Sequence, residues 1–410
     1  MKFFVESYGC TMNYGEGEEL AGRMLDLGFS SVGSADDADI VILNTCTVVE
    51  TTEKKMIRRM NELKAAGKEV IVTGCMAKVQ ASRVNVRLPG SLVIPPQEYH
   101  SFSELVKGKY GCGTPIVPGG VNATAIIPVA QGCRGNCTYC ITKFARGALK
   151  SYDPSDLKRR FDELVDSGVK EILITAQDTG CYGRDIGTDL GELVRSMLAK
   201  EGEYRIRIGM MNPNSLRPVL DSVLEVFEDG RVYRFLHIPV QSGSDSVLDS
   251  MKRHYTSEEF FSLVDTIRAR YPDMSIATDL ITGFPGETDA DHAASCELIR
   301  RLRADTVNIT RFSARPGTEA FSMKQINGNV SKARSTELTE VKNDTEKDVN
   351  SSMVGGTYRC LVTEISPDGS RIARTSNYRP IAIREQVPPG TFIDAEVTDC
   401  HSTYLIGRRV

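Results

Sequence analysis

Short apolar runs alternate with amphipathic stretches along the first part of the chain. Phe3-Phe4-Val5, Ile40 to Leu43 and Val70-Ile71-Val72 have strand length, and the segments between them, about Glu16 to Leu27 and about Thr52 to Ala66, read as helices. Strand, helix, strand in succession predicts βα units around a parallel sheet, so residues 1–110 are expected to form an α/β, doubly wound domain. A Gly- and Pro-rich stretch, Gly108 to Gly120, breaks the pattern and reads as a linker. Six further strands are predicted beyond it: Ala125 to Gln131, Glu171 to Gln177, Arg205 to Met211, Arg234 to Val240, Ser275 to Thr282 and Thr306 to Phe312. Crossover helices fit between them at Pro154 to Ser167, Leu190 to Leu198, Leu216 to Phe227, Ser257 to Arg270 and Ala290 to Leu302. Such repetition predicts a partial (β/α)6 barrel within residues 120–350. Its tail, Ser331 to Val349, is charged and helix-prone and reads as a solvated connector. From residue 353 the runs shorten to Tyr358 to Ile365, Ile381 to Arg384, Phe392 to Val397 and Tyr404 to Ile406, which predicts a small β-barrel over 353–410.

Composition narrows the class. The 410 residues are 40% hydrophobic and 25% charged, with no apolar run of membrane-spanning length and no leading charged-then-apolar segment. A soluble, cytoplasmic protein without a membrane partner is expected. Eleven cysteines without a secretory signal argue for metal or redox chemistry in a reducing compartment. The net charge of -4 gives no bulk electrostatic case for nucleic acid, so any RNA partner needs separate support.

The cysteines carry the chemistry. Cys133, Cys137 and Cys140 stand at C-x3-C-x2-C spacing just after a predicted strand. Three thiolates without a fourth ligand suit a cubane iron–sulfur cluster with one iron left open. A closed zinc site would need a fourth ligand, and no histidine follows Cys140 within reach. Cys10, Cys46 and Cys75 each follow a predicted strand of the first sheet. Parallel strands bring such positions to one edge, where ligands of open sheets collect, so a second three-thiolate cluster is expected there. Tyr139, directly before the third cysteine of the first trio, and the glycines around that loop resemble the radical S-adenosylmethionine (SAM) superfamily. The predicted carboxyl ends of the barrel strands carry Gln177, Asp178, Asn212, Gln241 and Ser242, with Asp279 and Gly283 along the fifth. They would form a polar rim over the Cys133 loop able to hold SAM. Cys112, Cys181, Cys296, Cys360 and Cys400 read as buried free thiols. The histidines show no ligand pattern, and His237 reads as a positioning or packing residue.

With both trios and the barrel in place, the chain resembles the radical SAM methylthiotransferase family over nearly its full length. The matching stretches are Tyr8 to Asn13, Asn44-Thr45-Cys46, Thr73-Gly74-Cys75, the Cys133 loop through Ala145-Arg146-Gly147, His237 to Ser244, Gly283 to Glu287 and Arg315 to Thr318. Gln177 to Asp185 and Phe235-Leu236-His237 are similar to the archaeal and eukaryotic branch that acts on threonylcarbamoyladenosine in tRNA; the absence of a terminal anchor leans toward the archaeal form. The resemblance implies two 4Fe–4S clusters and SAM as cofactors. It also implies conversion of threonylcarbamoyladenosine at position 37, just 3′ of the anticodon, to its 2-methylthio derivative. The tRNA anticodon stem-loop, a low-potential electron donor and a sulfur source are the implied partners. Residues 353–410 would be a TRAM domain, with Arg359, Arg374, Arg379, Arg384, Arg408 and Arg409 available for phosphates. Alternatives are a methylthiotransferase for isopentenyladenosine in tRNA or for a ribosomal-protein aspartate, and, in a different class, a zinc-loaded RNA-binding protein.

Overall fold

A computed structural model of the chain describes residues 1–116 and 122–410. Five parallel strands open the fold: β1 (Lys2–Ser7), β2 (Ser30–Ser31), β3 (Ile40–Thr45), β4 (Glu69–Gly74) and β5 (Leu92–Val93), in the order β2-β1-β3-β4-β5. All six residues of β3 are buried. Ile40 and Ile42 pack with Leu20 and Met24 of α1 (Thr11–Asp26). Val41 and Leu43 face the other side, toward Met56, Met60 and Leu63 of α2 (Glu50–Ala65). The period-2 alternation thus needs a helix on each face, which is the expected double winding. The sheet order reverses between β1 and β3, where crevices form beyond the carboxyl ends of the strands.

The expected linker begins later than its glycines suggest, because Gly108 lies inside α3 (Phe102–Tyr110). Residues 112–116 then run back along the end of α1, with Gly113 N–H donating to Leu27 O at 2.8 Å and Ile116 N–H to Leu25 O at 3.0 Å. The remainder, 117–120, lies outside the described residues.

Six more parallel strands follow: β6 (Thr124–Pro128), β7 (Glu171–Thr175), β8 (Arg205–Ile208), β9 (Phe235–His237), β10 (Ser275–Thr282) and β11 (Thr306–Arg311). They form two three-stranded sheets, β8-β7-β6 and β9-β10-β11. A bridge between Ile206 and Val232 and the Met211 N–H to His237 O bond at 2.9 Å join them into one open barrel. Helices α4 (Pro154–Asp166), α5 (Leu190–Leu198), α6 (Ser257–Arg270) and α7 (Asp289–Leu302) bury Phe161, Val194, Ile267 and Ile299 in a shared core with the strands. β6 ends at Pro128, which has no N–H to continue a ladder, and Ala130–Gln131 instead pairs with Lys150–Ser151. The crossover expected as one helix from Leu216 to Phe227 is broken into turns Arg217–Val219 and Val226–Glu228 around a helix Leu220–Glu225; Pro218 lies in the first break.

The connector is helical and solvated on one face, as expected, but its other face is buried. Helix α8 (Gly328–Ser351) buries Leu338, Glu346 and Asn350, and Glu346 Oε1 accepts the Val307 N–H at 2.6 Å. A charged face was misread because this carboxylate satisfies the backbone of the edge strand β11.

The chain closes with β12 (Thr357–Ile365), β13 (Arg371–Arg374), β14 (Pro380–Ile383), β15 (Phe392–Cys400) and β16 (Leu405–Arg409), a closed barrel ordered β12-β13-β14-β16-β15. A turn between β13 and β14 fastens it to the larger barrel. Tyr378 packs its ring 4.8 Å from Tyr233 and 5.1 Å from Phe235, with Arg374 and Arg207 over its faces. Arg379 is buried and donates to Asp305 Oδ1 at 2.7 Å and to Asn350. Arg374 and Arg379 are therefore docking residues rather than phosphate contacts. Arg408 pairs with Glu396 at 2.7 Å.

Burial raises the Glu346 carboxyl from 4.5 to about 7. Between those values the folded chain keeps a proton that the unfolded chain has released, so stability falls as pH rises through that window. Glu346→Gln preserves the acceptor for Val307 and removes the titration. Urea unfolding from pH 5 to 8 is expected to show a decline of roughly 2–3 kcal/mol in the wild type and a flatter profile in the variant; equal slopes contradict this.

Candidate cluster and cofactor sites

Cys10 caps the start of α1, Cys46 follows β3, and Cys75 opens the short helix Cys75–Val79 after β4. All three lie at the carboxyl edge of neighbouring parallel strands. Gly9, at φ 108°, lets the chain pass so close that a Cβ there would lie 2.9 Å from Cys46 Sγ. Burial, helped by the nearby Cys75 and Cys10 sulfurs, pushes the Cys46 thiol up to about 11. The trio therefore converges, although its members are some thirty residues apart in sequence.

Asn13 stitches the strand ends together by donating from Nδ2 to Tyr8 O at 2.7 Å and to Thr45 O at 2.9 Å. Its Oδ1 accepts from Arg146 Nη2 at 2.6 Å. Arg146 ends the helix Thr142–Arg146, directly after the second cysteine trio. Its Nε donates to Cys75 Sγ at 3.3 Å, and Nη1 pairs with Glu16. One loop thus reaches both trios.

Gly132 turns that loop at φ 82°, where a Cβ would lie 2.0 Å from Ala148 O. Gln177 Oε1 accepts the Gly132 N–H at 2.6 Å. Cys133 Sγ accepts the Gly135 N–H at 3.2 Å, and Cys137 Sγ accepts from Arg253 Nη1 at 3.2 Å. Arg253 continues to Asn212 Oδ1 at 2.6 Å, and Asn212 donates from Nδ2 to Asp178 Oδ2 at 2.8 Å. Asp178 also accepts from Ser215 Oγ at 2.6 Å and Cys181 Sγ at 3.3 Å. Tyr139 sets its ring edge-on to Phe284 at 6.4 Å. A second polar group lies on the other half of the barrel. Asp279 Oδ1 meets His237 Nε2 and Asn308 Nδ2, both at 2.9 Å. Burial works to raise its carboxyl, but these partners hold it below the usual carboxylate range. Gln241, at φ 77°, bonds through its backbone to Asp279 O at 2.8 Å. A non-glycine residue in that region is strained, which marks the segment just beyond β9 as a constrained place.

Gln177, Asp178, Asn212 and Tyr139 thus lie against the Cys133 loop or its relay. Gln241 and Asp279 form the second group. Ser242 and Gly283 are engaged in turns: Ser242 Oγ accepts the Ser244 N–H at 3.2 Å, and Gly283 N–H donates to Glu287 Oε2 at 2.8 Å while facing Ser331. The sequence reading missed Arg146, Arg253 and Arg315. Arg315 donates to Glu53 Oε2 at 2.6 Å and Val48 O at 3.0 Å, tying the barrel to α2. Arg146 and Arg315 sat inside stretches already singled out, but their burial was not visible there. Two expectations are corrected. Cys112 is exposed rather than buried, and His292 does have ligand-type neighbours, Cys296 one turn on and Glu337 on α8.

The trios suit iron–sulfur cores. Burial also pushes the Cys133 thiol up to about 12, so a cationic core would be needed to hold that sulfur as a thiolate. Among the described residues, His292, Cys296 and Glu337 bring one ligand atom each within 4.8 Å of one another.

Residues 127–299 match the Radical SAM superfamily, 2–94 the Uncharacterized protein family UPF0004, and 351–410 the TRAM domain. The solved radical S-adenosylmethionine methyltransferase TsrM from Kitasatospora setae shares the fold, with TM-score 0.56 and 14% identity over 75% of this chain and 72% of that one. These matches define a radical SAM enzyme with iron–sulfur clusters and SAM as cofactors. The probable threonylcarbamoyladenosine tRNA methylthiotransferase of Pyrococcus abyssi is 40% identical over 99% of both chains. The threonylcarbamoyladenosine tRNA methylthiotransferase of Drosophila melanogaster is 35% identical over 99% of this chain and 77% of its own length. The chain belongs to the threonylcarbamoyladenosine tRNA methylthiotransferase family. Among the described residues no helix is long and apolar enough to cross a membrane.

Gly132→Ala forces the Cys133 loop off Ala148 and is expected to halve the iron bound after anaerobic reconstitution, since roughly one of two cubanes is lost. Gly147→Ala, at a positive φ but in open space, is expected to bind more iron than Gly132→Ala. Equal iron in the two variants contradicts the packing argument.

Proposed function

We propose that this protein replaces the C2 hydrogen of threonylcarbamoyladenosine, just 3′ of the anticodon of a tRNA, with a methylthio group. Cys133, Cys137 and Cys140 hold one 4Fe–4S cluster, and Cys10, Cys46 and Cys75 hold the other. When bound, the clusters and SAM supply the electron, the radical initiator, the sulfur and the methyl group that acid–base chemistry cannot provide at an unactivated aromatic C–H. Each trio offers three thiolates, which leaves one corner of its core free of protein ligands.

The surrounding residues have separable tasks. Gln177 braces the Cys133 loop through the Gly132 N–H. Tyr139, Asp178, Asn212, Gln241, Ser242, Asp279 and Gly283 line or shape the SAM pocket. His237 and Asn308 fix the Asp279 carboxylate as an oriented acceptor at the strand ends. The TRAM barrel takes the tRNA anticodon stem-loop, with Arg359, Arg384 and Arg409 as phosphate contacts. A low-potential electron donor and a sulfur source complete the reaction, and its tRNA substrate fits a cytoplasmic setting. The observation that carries this reading is the single loop that contains one cysteine trio and sends Arg146 into the other.

Two measurements test it. Mass spectrometry of tRNA nucleosides is expected to show methylthiolated threonylcarbamoyladenosine lost in a deletion strain and restored on complementation; an unchanged profile discards the substrate. Cys137→Ala is expected to abolish SAM cleavage, whereas Cys46→Ala keeps cleavage and loses methylthiolation. Equal loss of cleavage in both refutes the division of labour.

A further inference from the structure

Arg146 is only 2% exposed, and every side-chain partner of its guanidinium lies in the other domain. Nε reaches Cys75 Sγ at 3.3 Å, Nη2 reaches Asn13 Oδ1 at 2.6 Å, and Nη1 pairs with Glu16. Asn13 in turn holds the carbonyls of Tyr8 and Thr45, which flank Cys10 and Cys46. One guanidinium therefore touches, directly or through one amide, all three cysteine-bearing strand ends. A buried cation is strongly penalised unless it is compensated. Here a single carboxylate does so, and Glu16 Oε2 has no hydrogen-bond partner. Nε, the donor that neither Glu16 nor Asn13 takes, is left to the Cys75 sulfur.

We propose that Arg146 is a positioning residue for the Cys10–Cys46–Cys75 cluster that sets its reduction potential, holding it high through a charged hydrogen bond to the Cys75 thiolate. The inference rests on the assignment of that trio made above. Reduction adds a negative charge to the core, and hydrogen bonds and cationic groups at the sulfurs favour the reduced form. Arg253 stands in the same relation to Cys137, but its partners belong to the barrel. Arg146 is different because the loop of one cluster tunes the other.

The test uses full-length protein reconstituted anaerobically, with Cys133, Cys137 and Cys140 all changed to Ala so that the N-terminal cluster is read alone. Its midpoint potential is followed by electron paramagnetic resonance during redox titration. Arg146→Met is expected to shift the potential downward, and Arg146→Lys to recover most of the shift. Glu16→Gln keeps the guanidinium and removes its countercharge, so the potential is expected to move upward. A downward shift in Arg146→Met with an upward shift in Glu16→Gln supports the proposal; coincident potentials, shifts of the same sign, or shifts reversed in sign overturn it. Should Arg146→Met fail to retain iron, the sign of the Glu16→Gln shift decides alone. A parent protein that binds no cluster overturns the trio assignment itself and the proposal with it, an outcome read from the iron content before any titration.

Discussion

Parallel register along β1, β3 and β4 is the constraint on which the N-terminal site depends. Ser7 pairs with Asn44, and Thr45 with Gly74, so the three strands finish level with one another. The residues that follow emerge at one height along one edge. With antiparallel pairing, the ends of neighbouring strands would point opposite ways, and Cys46 would lie a sheet's length from Cys10 and Cys75. Burial of β3 on both faces enforces the arrangement, because helices must cover the two faces and only the edge stays open. The barrel repeats the principle with six strands, and its cysteine loop rises from the same kind of edge.

Electrostatics completes what topology begins. Buried thiols resist ionisation, and buried guanidinium groups are costly to desolvate; separately, each is unfavourable. Arg253 and Arg146 each place a guanidinium N–H 3.2–3.3 Å from a cysteine sulfur, of Cys137 and Cys75 respectively, as charged hydrogen-bond donors. The inter-domain pairs Arg146–Glu16 and Arg315–Glu53 use the same residue type to hold the N-terminal sheet against the barrel. Binding chemistry and domain packing are thus served by one set of interactions.

Local signals made much of this legible. Ile40 to Leu43 and Val70 to Val72 announce buried strands by composition alone, and a cysteine just past each marks the edge. Ser275 to Thr282 and Leu190 to Leu198 coincide with the observed elements for the same reason. What escaped depends on distant partners. Arg146 and Glu16 are 130 residues apart, and nothing near either one shows that both are buried. Glu346 looked like part of a solvated face because its partner is the backbone of an edge strand, which carries no side-chain signature. Arg371 to Arg374 is too short and too charged to read as a strand until a closed barrel pairs it on both sides. Arg379 looked like a phosphate contact, since an exposed and a buried arginine are the same letter.

The seat of the small barrel has a geometric consequence. Tyr378 and Arg379 anchor it beside Tyr233, Phe235 and Asp305, at the amino ends of strands whose carboxyl ends carry the polar groups and the cysteine loop. The longest of those strands has eight residues, which at ~3.3 Å per residue is about 26 Å. The small barrel and the cysteine loop therefore stand at opposite poles of the larger barrel, separated by about the length of a strand.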